Sequence, residues 1–210
     1  MKIGLRDTNK KVCSICGGKA SSLTSTKLAD GIMCVNCRAK CTQHLSAPQT
    51  RLVSDIIQNI QENQANKQLY QIFTPSTDTC DLHIDFSNKL WCMGKRAEIK
   101  KQTAFIFTFS DIIDYEFVED GNIISKSGAG AAIAGGLLFG GIGMLAGGLM
   151  GRHSKDMINK LSVIVKVKNQ WVNKVEIPII TTPVKKGGAT YNLSKMLFNQ
   201  IIEYLDVMMS

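Results

Sequence analysis

Ile112-Ile113-Asp114-Tyr115-Glu116-Phe117-Val118-Glu119-Asp120-Gly121-Asn122-Ile123-Ile124-Ser125-Lys126 is the stretch on which the fold turns. Ile113, Tyr115 and Phe117 alternate with Asp114 and Glu116, the period-two pattern of a strand that buries one face. Asp120-Gly121 then supplies a favoured tight turn, so residues 122–126 are predicted to return antiparallel. The same period recurs on both sides. Upstream, Leu82, Ile84 and Phe86 alternate with His83 and Asp85, His83 facing solvent, and Ser87-Asn88 turns the chain into residues 89–92. Another strand fits residues 104–109. Downstream, residues 161–168 and 171–180 form a hairpin around Asn169-Gln170, with Val163, Val165 and Val167 on one face and Lys166 and Lys168 on the other. Residues 192–208 switch to helical spacing and stack Leu197, Ile201, Leu205 and Met208 on one side. Many short strands closed by one helix predict a small α+β barrel or roll over residues 71–210.

Ahead of that domain the composition changes twice. Residues 46–70 are rich in Gln and Asn, and Leu52, Ile56, Ile57 and Ile60 recur at helical spacing, which predicts a helical linker with its helix over residues 48–64. Residues 1–45 hold five of the seven Cys, eight basic and two acidic side chains, hence +6 of a net charge of +8. Residues 46–126 sum to −3 and residues 127–210 to +5, which excludes a uniformly basic nucleic-acid coat. Met1 to Asp7 carries charge but no apolar run behind it, so no cleavable signal peptide is expected. With an odd number of Cys, this points to a reducing, cytoplasmic setting.

Cys13-Ser14-Ile15-Cys16 and Cys34-Val35-Asn36-Cys37 are two C-x2-C pairs separated by 17 residues. Two residues between ligands let a tight knuckle turn both sulfurs to one point, and the intervening stretch is long enough for a short hairpin that brings the pairs face to face. The pattern predicts a structural Zn2+ held by Cys13, Cys16, Cys34 and Cys37 in a closed tetrahedron, with Cys41 and His44 as nearby spare ligands. A module of this size buries little apolar surface, so the metal supplies folding energy. Lys10, Lys11, Lys19, Lys27, Arg38 and Lys40 are candidate phosphate contacts, although residues 1–45 contain no Phe, Tyr or Trp on which a base would stack.

Residues 127–151 contain no charge, ten Gly, five Ala and nine large apolar side chains. Gly136/Gly140, Gly143/Gly147 and Gly147/Gly151 form small-xxx-small steps, the spacing that lets helix backbones approach closely in lipid or in a protein assembly. A single spanning helix would split the two flanking strands across a bilayer, whereas a helical hairpin turning near Gly140-Gly141 keeps them on one side. Lys126 before the run, and Arg152, His153 and Lys155 after it, put positive charge at both ends, as a hairpin entering from the cytoplasmic face requires. Packing against a sister chain and a glycine-rich loop are the other readings. Gly136, Leu137, Leu138, Phe139, Gly140, Gly143, Gly147 and Gly151 are the expected membrane or oligomer contacts. The run is not a phosphate loop, because Ile133 stands where a G-x-G-x-x-G motif has its third glycine.

Catalysis has little to build on. Asp111, Asp114, Glu116, Glu119 and Asp120 cluster around one predicted strand but read as a solvated face and a polar turn. Cys80 and Cys92 have no basic partner close in sequence, and no Ser/His/Asp or Cys/His set can be assembled, so the chain is expected not to be an enzyme.

Three blocks together resemble a known family: Cys13-x2-Cys16-Gly17 with Leu28-Ala29-Asp30-Gly31-Ile32-Met33-Cys34-x2-Cys37; Phe109-Ser110-Asp111 running on through Gly121; and Gly135-Gly136-Leu137-Leu138-Phe139-Gly140-Gly141-Ile142-Gly143. They are similar to proteins of low-G+C Gram-positive bacteria and their phages, in which a zinc-ribbon domain of unknown function is joined to a β-rich domain with a glycine-rich insertion. The resemblance implies zinc on the four cysteines and no reaction. Strand count and the final helix also make the β-rich part look like a bacterial pleckstrin-homology (PH) domain. The expectation is therefore an N-terminal zinc ribbon (1–45), a helical linker (46–70), and a PH-like roll (71–210) carrying the hairpin. Such a chain would be a non-enzymatic zinc-binding adaptor, cytoplasmic or peripheral at the inner face of the cytoplasmic membrane. It would self-assemble or touch membrane through the hairpin, in a setting of envelope stress or phage–host conflict. The alternative is a nucleic-acid-binding zinc-ribbon regulator.

Overall fold

Alternation along residues 112–119 is realised as the strand around which one domain is built. A computed structural model describes residues 12–126 and 157–210, and the chain divides into two compact units, Met1–Ile72 and Phe73–Ser210. Together they make an α+β protein with antiparallel sheets.

The first unit contains β1 (Thr26–Lys27), β2 (Ile32–Met33), a one-turn helix α1 (Val35–Arg38) and α2 (Val53–Leu69). The helix predicted from residue 48 begins later. Pro48–Thr50 forms a 3-10 turn behind Ala47, which has a left-handed φ of 44°, and Arg51 is extended. Only at Val53 does the α-helix start. There Asp55 Oδ2 accepts the Leu52 N–H at 2.9 Å, and Asp30 Oδ1, from the β1–β2 connection, accepts the Val53 N–H at 2.8 Å. Residues 46–70 read as a linker in the sequence, yet α2 is packed into the first unit. Asn59 is fully buried, its Oδ1 accepting the Thr42 N–H at 2.8 Å and its Nδ2 donating to Thr42 Oγ1 at 2.9 Å.

The second unit holds two four-stranded sheets. One is the meander β3 (Thr77–Thr79), β4 (Leu82–Asp85), β5 (Leu90–Met93), β6 (Ile106–Thr108), with a short helix α3 (Arg96–Lys100) between the last two strands. The other has the order β11 (Lys174–Ile180), β10 (Leu161–Val167), β7 (Ile112–Glu119), β8 (Asn122–Lys126). A two-residue ladder joins β9 (Met157–Ile158) to β12 (Val184–Lys185), and α4 (Ala189–Met209) ends the chain. One core takes side chains from both sheets and α4. Trp91 stacks on Phe107 at 5.1 Å between ring centroids, and Phe117 meets Phe198 at 5.0 Å. Each such side chain contributes roughly 1.5–3 kcal/mol by burial. Tyr115 reaches through to donate its hydroxyl to Asp206 Oδ1 at 2.5 Å, tying β7 to α4.

The Asp120-Gly121 turn forms as its sequence predicts, with φ of 47° and 85°. One expectation on β7 fails: Ile113 is 53% exposed while Ile112 is buried. The pairing with β10 shifts there, Val167 opposing Ile112 and Lys166 opposing Asp114, so Ile113 is the extra residue of a bulge and is turned outward. Val163, Val165 and Val167 face the core as expected. β6 is shorter than predicted, because Asp111 accepts the Thr108 N–H at 2.7 Å and winds Phe109–Asp111 into a 3-10 turn. β11 starts late because Asn169 Oδ1 accepts the N–H groups of Trp171 and Val172 and lengthens the loop.

His83 does not face solvent. It is 4% exposed on an inner strand, with Nε2 at 2.9 Å from the Gly94 carbonyl and Asp78 at 3.7 Å from Nδ1. Asp85, next but one, is 1% exposed and accepts from the Thr74 N–H, the Asn88 N–H and Asn88 Nδ2 at 2.8–2.9 Å. Burial raises its pKa, but the Asn88 amide and the surrounding backbone N–H groups more than offset that, and the net shift is downward. A depressed folded-state pKa means that the ionised carboxylate adds stability above its unfolded value of about 3.9 and loses it as pH falls through the folded value. Asp85→Asn is expected to cost about 1–3 kcal/mol at pH 7 and to flatten the acid limb of the stability curve below about pH 4, as read by urea unfolding across pH.

Candidate metal centre

The geometry of the two knuckles follows from their local sequence. In the first, the Gly17 N–H donates to the Cys13 carbonyl at 2.9 Å and the Cys13 N–H to Gly18 O at 2.8 Å, a turn that needs the positive φ of 70° at Gly17. In the second, Cys34 caps α1 in an extended conformation and Cys37 follows three residues on, so one helical turn aims both sulfurs the same way. The β1–β2 ladder, Thr26 opposite Met33 and Lys27 opposite Ile32, returns the chain to the first knuckle. There the Ser14 N–H donates to Ile32 O at 2.8 Å, and Ser14 Oγ accepts the Ile32 N–H at 3.0 Å. Gly31 permits that approach: a Cβ built on it would lie 2.5 Å from Ser14 Oγ and 2.8 Å from Val53 Cγ2.

The four sulfurs predicted from the spacing are brought together. Their Sγ atoms lie within 4.8 Å of one another, with Cys13–Cys37 and Cys16–Cys34 each at 3.8 Å. A tetrahedral ion with metal–sulfur bonds of about 2.3 Å has sulfur–sulfur edges of about 3.8 Å, so the cluster fits a metal ion with little rearrangement. Cys13, Cys34 and Cys37 are buried, and Cys16 alone is exposed. Burial pushes the Cys13 thiol up, but hydrogen bonding to the Cys34, Cys16 and Ile15 backbone overrides it and lowers its pKa to about 6. The Cys34 N–H···Sγ contact is 3.3 Å. Burial and the neighbouring sulfurs push Cys37 strongly upward. With a cation bound, the four cysteines would hold it as thiolates, and four sulfurs would leave no position open for a water nucleophile.

Cys41 is not part of this cluster. Its buried thiol points to Cys37 O at 3.4 Å and Met33 Sδ at 3.9 Å, backing the second knuckle from behind. Among the described residues, the ligand group consists of the four predicted cysteines, without His44. Lys19, Lys27 and Lys40 are exposed and Arg38 is half-buried in the last turn of α1; Lys10 and Lys11 lie outside the described residues. So do Gly136, Leu137, Leu138, Phe139, Gly140, Gly143, Gly147 and Gly151.

The acidic residues around β7 have structural partners. Asp111 holds the 3-10 turn, Asp114 Oδ1 accepts the Tyr115 N–H at 2.8 Å, and Glu116 receives Lys166 Nζ at 2.6 Å with Asp114 3.7 Å away from the same amine. Glu119 pairs with Lys186 at 3.6 Å. Asp120 accepts the N–H groups of Asn159 and Lys160, each at 2.9 Å. Cys92 is deep in the second unit, where burial pushes its thiol up to about 12, and Cys80 is also raised by burial. Sequence reasoning passed over Asn59, and it read Asp120 only as a turn and polar-cluster residue. The Asp-Gly turn signalled the position of Asp120, but nothing in the sequence signalled its grip on residues 159–160.

The profile described as "Glycine zipper containing PH domain" matches residues 68–182, more than half of the chain. The chain belongs to that family. A second profile, "Domain of unknown function (DUF4428)", matches residues 11–63 and takes in all four cysteines. An immunity protein of Bacillus phage SPbeta is 33% identical over 82 residues, 39% of this chain and 39% of its own. The SPbeta prophage-derived uncharacterized membrane protein YomJ of Bacillus subtilis (strain 168) is 33% identical over 82 residues, 39% of this chain and 35% of its own. The chain thus spans under two fifths of the length of these curated relatives. No solved structure matches it.

Two substitutions test the centre. Cys34→Ser is expected to abolish stoichiometric metal binding, measured by elemental analysis of the purified chain. Gly31→Ala is expected to destabilise the first unit by about 1–3 kcal/mol through the enforced contacts with Ser14 and Val53, measured by chemical denaturation.

Proposed function

We propose that this protein is a non-enzymatic adaptor. A structural Zn2+ on Cys13, Cys16, Cys34 and Cys37 shapes the N-terminal unit as a ribbon for protein contacts, and the glycine-rich insertion of the PH-like domain mediates contact with a membrane or with sister chains. Four thiolates at tetrahedral spacing, with no open coordination position, favour zinc in a structural role.

The observation that carries the membrane or assembly reading is the pairing on the two sides of β7. Lys126, at the end of β8, opposes Glu116; Leu161, at the start of β10, opposes Glu119. Three residues along the strand and two strand spacings separate those ends, about 14 Å. About five extended residues close such a gap, yet residues 127–160 stand between the strands. The insertion is therefore far longer than connectivity demands, and both of its ends belong to one sheet. That favours a segment which leaves the domain and comes back over one that crosses a bilayer once. Among the described residues no helix is long and apolar enough to cross a membrane. One relative's description as a membrane protein supports membrane contact, and another's as an immunity protein supports a setting of phage–host conflict.

The competing nucleic-acid reading rests on the charge of residues 1–45, which lack an aromatic platform. Deleting residues 129–149 leaves enough chain to close the gap, so the domain is expected to fold without them. The full chain should float with vesicles of anionic phospholipid or sediment as an oligomer, and the deletion should do neither. A monomeric full-length protein that ignores the vesicles defeats this reading; salt-dependent retention on DNA in place of flotation supports the alternative.

A further inference from the structure

Several of the groups that hold α2 sit on either side of the second knuckle. Before it, Asp30 Oδ1 accepts the Val53 N–H at the helix start, the Ala29 N–H donates to Arg51 O at 2.9 Å, and Gly31 lies against Val53. Immediately after it, Thr42 is held from both sides by buried Asn59, and Asn63 Nδ2 donates to Lys40 O at 2.9 Å. Asp30 precedes Cys34 by four residues, and Lys40 to Thr42 follow Cys37 by three to five. The chain that grips α2 is thus placed by two of the four sulfurs.

The helix has little stability of its own. Its 17 residues, VSDIIQNIQENQANKQL, hold one Ala against three Asn and four Gln. Helices of this length and composition are marginal in water without tertiary packing. Its buried positions are Ile56, Asn59, Ile60 and Asn66, so half of them are amides rather than apolar groups. A buried Asn is stabilising only while its partners are in place; without Thr42, Asn59 becomes a desolvation cost.

From this placement we infer that α2 is the third element of the metal module rather than a linker, and that its helical state is set by metal occupancy. The inference rests on the proposal that the four cysteines hold zinc, and extends it. With the ion bound, the segments at residues 29–31 and 40–42 are fixed and α2 docks. Without it, both segments lose their common anchor and α2 melts, while the Phe73–Ser210 unit, which has its own core, keeps its fold. The DUF4428 match running to residue 63, through Asn59 and Asn63, agrees with a module that includes the helix. Linkage is reciprocal, so the docked helix must also tighten metal binding.

The test uses the full chain. Hydrogen exchange is followed by mass spectrometry on peptides from residues 53–69 and from β7 and β10, before and after stripping with a chelator and after adding back zinc chloride. Metal content is measured on each sample. Protection of residues 53–69 is expected to fall at least tenfold on stripping and to return with zinc, while β7 and β10 are unchanged. Asn59→Ala, and separately Asp30→Ala in case the first variant fails to fold, should weaken zinc affinity about tenfold in competition with a chromophoric chelator. Zinc-loaded protein whose residues 53–69 stay protected after stripping overturns the coupling and leaves the metal site standing. A chain that binds no zinc, with α2 already protected, overturns both.

Discussion

Asp120 fixes both neighbours of the central strand. Its left-handed backbone, followed by that of Gly121, reverses the chain from β7 into β8. Its carboxylate accepts the N–H groups of Asn159 and Lys160, and its own N–H donates to Lys160 O at 2.9 Å. One residue therefore sets the β7–β8 register and receives the chain where it re-enters the sheet ahead of β10. A one-residue slip at this point would turn Tyr115 and Phe117 out of the core and place Asp114 and Glu116 inside. Because Tyr115 also reaches Asp206 and Phe117 packs on Phe198, the seating of α4 depends on the same register.

The two units solve the problem of stability in different ways. The Phe73–Ser210 unit has a continuous core of aromatic and branched side chains drawn from both sheets and the last helix. The N-terminal unit has two-residue strands, a one-turn helix, the longer α2 and a cluster of sulfurs beside a small set of buried apolar side chains. Its second helix is held by amide hydrogen bonds and a few apolar contacts, an arrangement suited to a module whose order depends on a bound ion.

Much of this was legible in the residues. The C-x2-C pairs, the Asp-Gly turn, the valine face of β10 and the amphipathic final helix are local or periodic patterns, and each formed where its spacing placed it. The misreadings share a cause. Ile113 turned outward because a bulge in the pairing with β10 added a residue to one strand, a feature that belongs to two distant segments together. His83 became buried because β3, β5 and the Gly94 carbonyl surround its strand, and alternation reports only one face at a time. The helix start moved from 48 to 53 because Asp30, far earlier in the chain, caps it.

Composition and spacing alone picked out the four cysteines that the fold gathers, the class of fold and the position of most strands, since knuckles, turns and period-two burial depend on neighbours close along the chain. Tertiary structure decided where α2 belongs, which carboxylates are structural partners, and that both ends of the long insertion rest on one sheet. Those outcomes depend on hydrogen bonds and pairings between segments tens of residues apart, whose energies exist only once the chain has folded.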